Sequence, residues 1–171
     1  FEWSKMHVFS TINICWAAQA SLYYHFGIKK EQVEDKVFGV FEHDVLIENH
    51  VLTRGFTDTF LAPHSRHTKI EEEKLPNISE LDILAKSEDV GTLLLATKDL
   101  RKIFVTGHIE YDADTLHNEY IRDKSSNLPI GIPVNYYPGN DDTKMPENRW
   151  RGIAYLFYHN WLNQVYQQTP Y

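Results

Sequence analysis

The chain has 171 residues, with 17 Lys plus Arg against 24 Asp plus Glu, for a formal net charge of −7. A 42% hydrophobic and 13% aromatic content excludes a disordered chain, and the acidic balance argues against a nucleic-acid-binding surface, which carries clustered Lys and Arg. A single cysteine rules out an intrachain disulfide and points to a reducing cytoplasm, and no run approaches the roughly 18 apolar residues of a membrane span.

Phe1, Trp3, Met6 and Val8 place apolar side chains as the closing turns of an amphipathic helix would. The segment has no cationic leader and no initiating Met, so the chain is expected to be the later part of a longer protein. Ser10–Ile14 is short and β-branched and reads as a strand. Trp16–Phe26 is rich in helix formers and is followed by Gly27 at a capping position. Cys15 therefore stands at a strand-to-helix turn. Residues 28–70 read as turn-rich, with short apolar runs at Val37–Phe41 and Val45–Ile47 and a polar loop at Ala62–His67. Glu71–Glu73 reads as a solvated charge run, and Leu81–Ala85 as a strand or short helix.

Thr92–Thr97 and Lys102–Thr106 are predicted strands around a turn. Asp112 or Asp114 is placed to cap a helix reaching about Lys124, with Leu116, Tyr120 and Ile121 inward. Residues 125–148 read as irregular, and a last helix is predicted over about Asn148–Gln167. Trp16, Trp150 and Trp161 are expected in the core. Alternating strands and helices without a linker indicate one α/β domain over residues 1–171.

Cys15 is the sharpest chemical feature. A free thiol near pKa 8.5 needs activation, and a helix N-terminus supplies positive potential and free N–H groups for an oxyanion. A strand–Cys–helix turn also projects the sulfur outward, as a nucleophile elbow does. A buried, inert cysteine is the competing reading. Thr106-Gly107-His108-Ile109-Glu110 favours the reactive one. In extended chain, His108 and Glu110 face the same side, as a general base and its orienting carboxylate would. Gly107 reads as a site for an unusual backbone dihedral. Glu119 and Arg122 are one helical turn apart, which fits a surface ion pair or a clamp for a zwitterion. Lys36 reads by default as solvated. His64 and His67 lack a partner at metal-site spacing, so no metal is expected.

These residues carry a family resemblance. Cys15-Trp16-Ala17-x-Gln19-Ala20, Leu61-Ala62-Pro63-His64-Ser65-Arg66, Thr106-Gly107-His108-x-Glu110-Tyr111-Asp112 and Asn160-Trp161-Leu162-Asn163…Thr169-Pro170-Tyr171 resemble the homoserine O-acyltransferases of the homoserine O-succinyltransferase type. Lys36, Thr53-Arg54-Gly55-Phe56, Arg122-Asp123 and Asn135-Tyr136 also match. The resemblance implies an α/β, flavodoxin-like three-layer sandwich of the class I glutamine amidotransferase type, with N-terminal strands missing from this chain. It implies transfer of an acetyl or succinyl group from acyl-CoA, with no bound cofactor, to the hydroxyl of L-homoserine in methionine biosynthesis. It assigns Cys15 as nucleophile, His108 as base and acid, and Glu110 as its orienter. Lys36, Ser65, Glu119 and Arg122 match substrate-binding positions, and a homodimer is suggested. Family members run to roughly 300 residues, as one large α/β domain. The acyl-selecting position and part of the oxyanion hole are then expected upstream of Phe1. A Cys-His-Glu amidohydrolase on the same fold is the alternative activity, and a fragment unable to act alone is a third.

Overall fold

The structure is a computed structural model, and it describes residues 1–169. Pro170 and Tyr171 of the last motif lie outside the described residues. The elements are α1 (Glu2–His7), β1 (Thr11–Ile14), α2 (Trp16–Phe26), β2 (Lys30–Val45), β3 (Thr59–Ile70), β4 (Leu81–Ser87), β5 (Gly91–Thr97), β6 (Lys102–Val105), α3 (Thr115–Ser125) and α4 (Arg151–Gln168).

The strands form one mixed sheet in the order β1-β6-β5-β4-β2-β3. β1 runs parallel to β6, and the other pairings are antiparallel. Both faces are covered. Leu95 and Phe104 point to the side where Ala18 and Leu22 of α2 pack. Leu94, Ile103 and Val105 point to the opposite side, against Ala154 and Phe157 of α4. The two-residue alternation along β5 and β6 thus builds two cores from one sheet. This is the helix–sheet–helix layering that the resemblance implies.

α2 ends where expected. Gly27 is left-handed at φ 69°, and its N–H donates to Tyr23 O at 2.9 Å. α4 starts at Arg151, with Asn148 Oδ1 accepting from the N–H of Trp150 at 3.2 Å and of Arg151 at 2.7 Å. Asn160 of α4 is buried and donates to Leu52 O at 3.1 Å and Arg54 O at 2.8 Å, which holds the 52–56 turn against the helix.

Residues 28–70 depart from the expectation. Only residues 46–58 are turn-rich; on either side of them run two long antiparallel strands, β2 and β3. Their polar segments hid the pattern: Lys30–Lys36 is largely exposed, while His43, His64 and Arg66 are buried polar residues on core-facing positions. Pro63 is tolerated because β3 is an edge strand. Ala62–His67 is accordingly strand rather than loop. Leu81–Ser87 is a strand. Ile121 is exposed rather than inward, and Asp114 precedes α3 without a side-chain capping bond. Glu72 is not simply solvated: it pairs with Lys86 at 2.7 Å and accepts the Thr92 N–H.

The irregular 125–148 segment is anchored on α3 through Tyr136, Tyr137 and Asp142, and also on the sheet. Val134 bridges to β2 at Gly39, with Val40 N–H to Val134 O at 2.8 Å and Val134 N–H to Phe38 O at 2.9 Å. A Cβ at residue 39 would overlap the Val134 backbone, so only glycine allows the approach. Tyr136 and Tyr137 follow and are buried with Leu116, Tyr120 and Trp150.

Candidate active site

Cys15 is placed by two strands and a helix. Its N–H donates to Val105 O at 2.7 Å, which extends the parallel β1–β6 ladder by one step. The chain then turns at once into α2. Making that turn forces Cys15 to φ 52°, ψ −113°, a sparsely populated conformation for a residue with a Cβ. The result is the tight strand–Cys–helix turn expected from the sequence. Next to it lie the first amides of α2, which have no partner within the helix. Gln19, one turn on, is buried and clasps β3: Thr68 Oγ1 donates to its Oε1 at 2.6 Å, and its Nε2 donates to Thr68 O at 3.3 Å. The clasp holds the sulfur beside β3, where Cys15 Sγ lies 4.0 Å from Ser65 O.

His108 arrives differently from the expectation. β6 stops at Val105, and residues 108–111 form a turn rather than a strand. His108 N–H donates to Pro63 O at 2.8 Å, anchoring the turn on β3. The turn brings Glu110 Oε1 to 2.6 Å from His108 Nδ1. Nε2 is left to serve the thiol. Tyr111 stacks on the imidazole at a centroid distance of 4.0 Å. Burial opposes charge on His108, but hydrogen bonding to Cys15 and Glu110, and the charges of both, outweigh it and push its pKa up to about 9. Below that pH the pair holds a proton on the imidazole.

Gly107 does not sit at a positive φ, so an unusual dihedral is not its role. Its role is space. A Cβ there would lie 2.8 Å from Leu93 Cδ1, 2.8 Å from Pro63 O and 2.9 Å from His64 Cε1. Two of these neighbours belong to β3, on which the His108 turn is anchored. Gly107→Ala is therefore expected to destabilise the fold by about 2 kcal/mol and to displace His108. Urea unfolding and the rate of the reaction proposed below check the two effects, and both are expected to fall.

The four further candidates converge. Glu119 on α3 accepts from Lys36 Nζ at 2.8 Å and from Ser65 Oγ at 2.9 Å. Arg122 approaches the same carboxylate at 3.7 Å but pairs more closely with Asp123, at 2.7 Å. Lys36 also reaches Asp123, at 3.5 Å, and lies 4.2 Å above the Phe38 ring. Lys36 is thus mostly buried and paired rather than solvated. The Arg122 bond holds the Asp123 carboxyl below its usual range, with burial opposing and Lys36 assisting. Arg122 itself is largely exposed, at 66% of its side chain. Ser65 joins this network to the nucleophile, with its carbonyl facing Cys15 and its hydroxyl bonded to Glu119.

The remaining candidates separate. His64 is fully buried, with its Nε2 at 3.0 Å from that of His43, while His67 is exposed. Three residues apart on a strand, they face opposite sides. Trp150 is in the core and Trp161 is half-buried, its Nε1 donating to Ser10 Oγ at 3.0 Å. Trp16 contradicts the core expectation: it is 66% exposed, because the helix start faces outward at the elbow. Gln19, Asp123 and Tyr111 lay inside or beside the motifs but received no role from the sequence. Two of their partners, Thr68 and Lys36, are near only in the fold, and the stacking of Tyr111 on His108, three residues away, depends on the turn between them.

The homoserine O-succinyltransferase family model matches residues 1–171. The chain is 56% identical to a homoserine O-acetyltransferase of Petrotoga mobilis over 99% of its own length and 55% of the relative's. It is 55% identical to that of Agathobacter rectalis, again over 99% of this chain and 55% of the relative's.

The chain belongs to the homoserine O-succinyltransferase family.

It spans about half the length of the curated relatives it matches. Solved structures show the same architecture outside the family. A glutamine amidotransferase from Thermotoga maritima aligns with a TM-score of 0.64 at 16% identity, over 90% of this chain and 61% of that one. A glutamine amidotransferase from Methylobacillus flagellatus aligns with a TM-score of 0.57 at 16% identity, over 97% and 64%. At such identities the likeness is one of fold, and it agrees with the sandwich that the homoserine O-succinyltransferase resemblance implies. Among the described residues no helix is long and apolar enough to cross a membrane.

Proposed function

We propose that this chain carries the catalytic unit of a homoserine O-acyltransferase that moves an acetyl group from acetyl-coenzyme A to the hydroxyl of L-homoserine, as a step towards methionine. The Cys15–His108–Glu110 arrangement at a strained elbow carries the reading. Membership of the family supports the acceptor, and the acetyltransferase names of relatives at 50–56% identity support acetyl over succinyl.

In the first half-reaction Cys15 Sγ attacks the thioester carbonyl. The amides at the start of α2 donate hydrogen bonds to the developing oxyanion, and the carbon–sulfur bond to coenzyme A breaks. The His108 proton passes to the leaving thiolate. In the second half-reaction the neutral imidazole takes the homoserine hydroxyl proton while the oxygen attacks the acyl-Cys15 carbonyl. Sulfur leaves, and the product ester forms. Glu110 holds the ring and balances its charge in both directions. Glu119 receives the homoserine ammonium in exchange for Lys36 and Ser65, and Arg122 turns from Asp123 to the substrate carboxylate. Holding acceptor and acyl-enzyme in one frame makes the second step effectively intramolecular.

Full-length protein mixed with acetyl-coenzyme A, without homoserine, is expected to give an acetyl adduct on Cys15 by peptide mass spectrometry. A succinyl adduct from succinyl-coenzyme A and none from the acetyl donor would reverse the donor assignment. No adduct from either, with hydrolysis of glutamine instead, would support the amidohydrolase alternative. Glu119→Gln removes the anionic partner of the ammonium. It is expected to raise the KM for homoserine by about tenfold to a hundredfold, while the acyl-Cys15 burst persists. Steady-state kinetics beside a stopped-flow burst measures the two.

A further inference from the structure

The face of α2 that begins at Cys15 borders a groove. Trp16, Gln19, Ala20 and Tyr23 fall at i, i+3, i+4 and i+7, so they share one side of the helix. They line a groove of about 400 Å³ whose other walls are Lys29 and Lys30. Trp16 is 66% exposed and Tyr23 58% exposed. Two outward aromatic rings and two lysines on one groove are the components of a site for an aromatic ring with phosphates attached.

The charges fit the same ligand. Among the described residues neither Lys29 Nζ nor Lys30 Nζ forms an ion pair or side-chain hydrogen bond, whereas the neighbouring Lys69 and Lys74 are paired with Glu31 and Glu71. Two ammonium groups without a close acidic partner line one groove on a chain of net charge −7, Lys29 acting on Glu71 only at longer range. The groove is also ordered along the helix. Its Trp16 end adjoins Cys15, Tyr23 lies two helical turns on, about 10 Å along the axis, and Lys29 and Lys30 come from the chain that follows the helix end. A ligand lying in it places its reactive end at the sulfur and its phosphates at the lysines.

We propose that this groove holds the acyl donor of the reaction above: the pantetheine arm of coenzyme A lies along Trp16 and Ala20, its adenine against Tyr23, and its phosphates on Lys29 and Lys30. The inference rests on the acyl-transfer reading and assigns the donor side of that site. Ser65 and Glu119, which line no part of this groove, are left for homoserine.

The test uses full-length protein and two donors: acetyl-coenzyme A, and S-acetylpantetheine, which has the same thioester without adenine or phosphates. The double variant Lys29→Glu, Lys30→Glu is expected to lower the ratio of kcat/KM for the two donors about tenfold, and the loss is expected to shrink at high salt. Tyr23→Ala is expected to lower the same ratio by a similar factor through lost stacking. An unchanged ratio in both variants, with acyl-Cys15 still forming, overturns the groove assignment and leaves the acyl-transfer reading intact. A Tyr23→Ala protein with altered oligomeric state or melting temperature but an unchanged ratio marks the groove as a protein interface, which also overturns it. Failure of the unmodified protein to acylate Cys15 from either donor instead overturns the underlying reading.

Discussion

Cys15→Gly is expected to abolish acyl transfer and to make the protein more stable. The two effects have one origin. The elbow needs φ 52°, ψ −113° at residue 15, a conformation in which a Cβ is strained and glycine is not. Relief of such strain is worth about 1–3 kcal/mol, set against about 0.5–1 kcal/mol for the greater freedom of glycine in the unfolded chain. A net gain of about 1 kcal/mol corresponds to about 2–4 °C in melting temperature. Loss of the nucleophile is expected to lower the rate by about 10⁴-fold or more. Cys15→Ser separates the contributions: it keeps the Cβ and the strain, so it is expected to lose activity without gaining stability. Thermal melts and acyl-transfer assays of the two variants provide the measurement. A Cys15→Gly protein less stable than the parent would contradict the strain argument.

Glu110→Gln is expected to be the next most damaging change, and its signature is in pH. The His108 pKa stands at about 9 because bonds to Cys15 and Glu110, and their charges, overcome burial. Replacing the carboxylate by an amide removes one of those contributions and lets burial pull the value down. The limb of the pH–rate profile that reports His108 is expected to move to lower pH. kcat is expected to fall about 10²–10⁴-fold, through loss of ring orientation and of the charge that balances the imidazolium.

Stability moves as well, with a definite sign. A histidine whose folded pKa is raised from 6.5 to about 9 contributes stability in full below about pH 6.5. That contribution falls away between there and about pH 9. The difference in unfolding free energy between parent and Glu110→Gln is therefore expected to be largest near pH 6 and to vanish above pH 9. Denaturation curves at several pH values test this. A difference that grew with pH would show that Glu110 does not raise the His108 pKa.

The chemistry was legible in the sequence because it depends on residue type and local order. Cys15 between a β-branched run and a helix former announces the elbow, and Gly27 marks where the helix ends. His108 and Glu110 are close enough in sequence to meet whether the chain is extended or turned, so their pairing was recognisable although the chain there is turned and not extended. The β2–β3 hairpin was not legible. Its outer part is polar and exposed, and its inner part buries His43, His64 and Arg66, so apolar alternation fails at both ends. The role of Gly107 was missed for a related reason. A glycine needed for space is indistinguishable in sequence from one needed for a left-handed dihedral, and only the packing of Leu93, Pro63 and His64 tells them apart.

The sequence by itself determined the strand–Cys15–helix turn, the closeness of His108 to Glu110, and the layered α/β class, since each rests on contacts within a few residues or on two-residue and helical periodicity. Only the tertiary structure decided how the substrate-side residues stand. Lys36, Ser65 and Glu119 lie on β2, β3 and α3, up to 83 residues apart, and meet because the hairpin folds its polar strands under α3. Glu119 and Arg122, neighbours on one helix turn, turned out to be less closely paired than Glu119 with Lys36 and Arg122 with Asp123. An i, i+3 spacing allows an ion pair, but competition among all nearby charges chooses the partner, and those charges are assembled only when the sheet is complete.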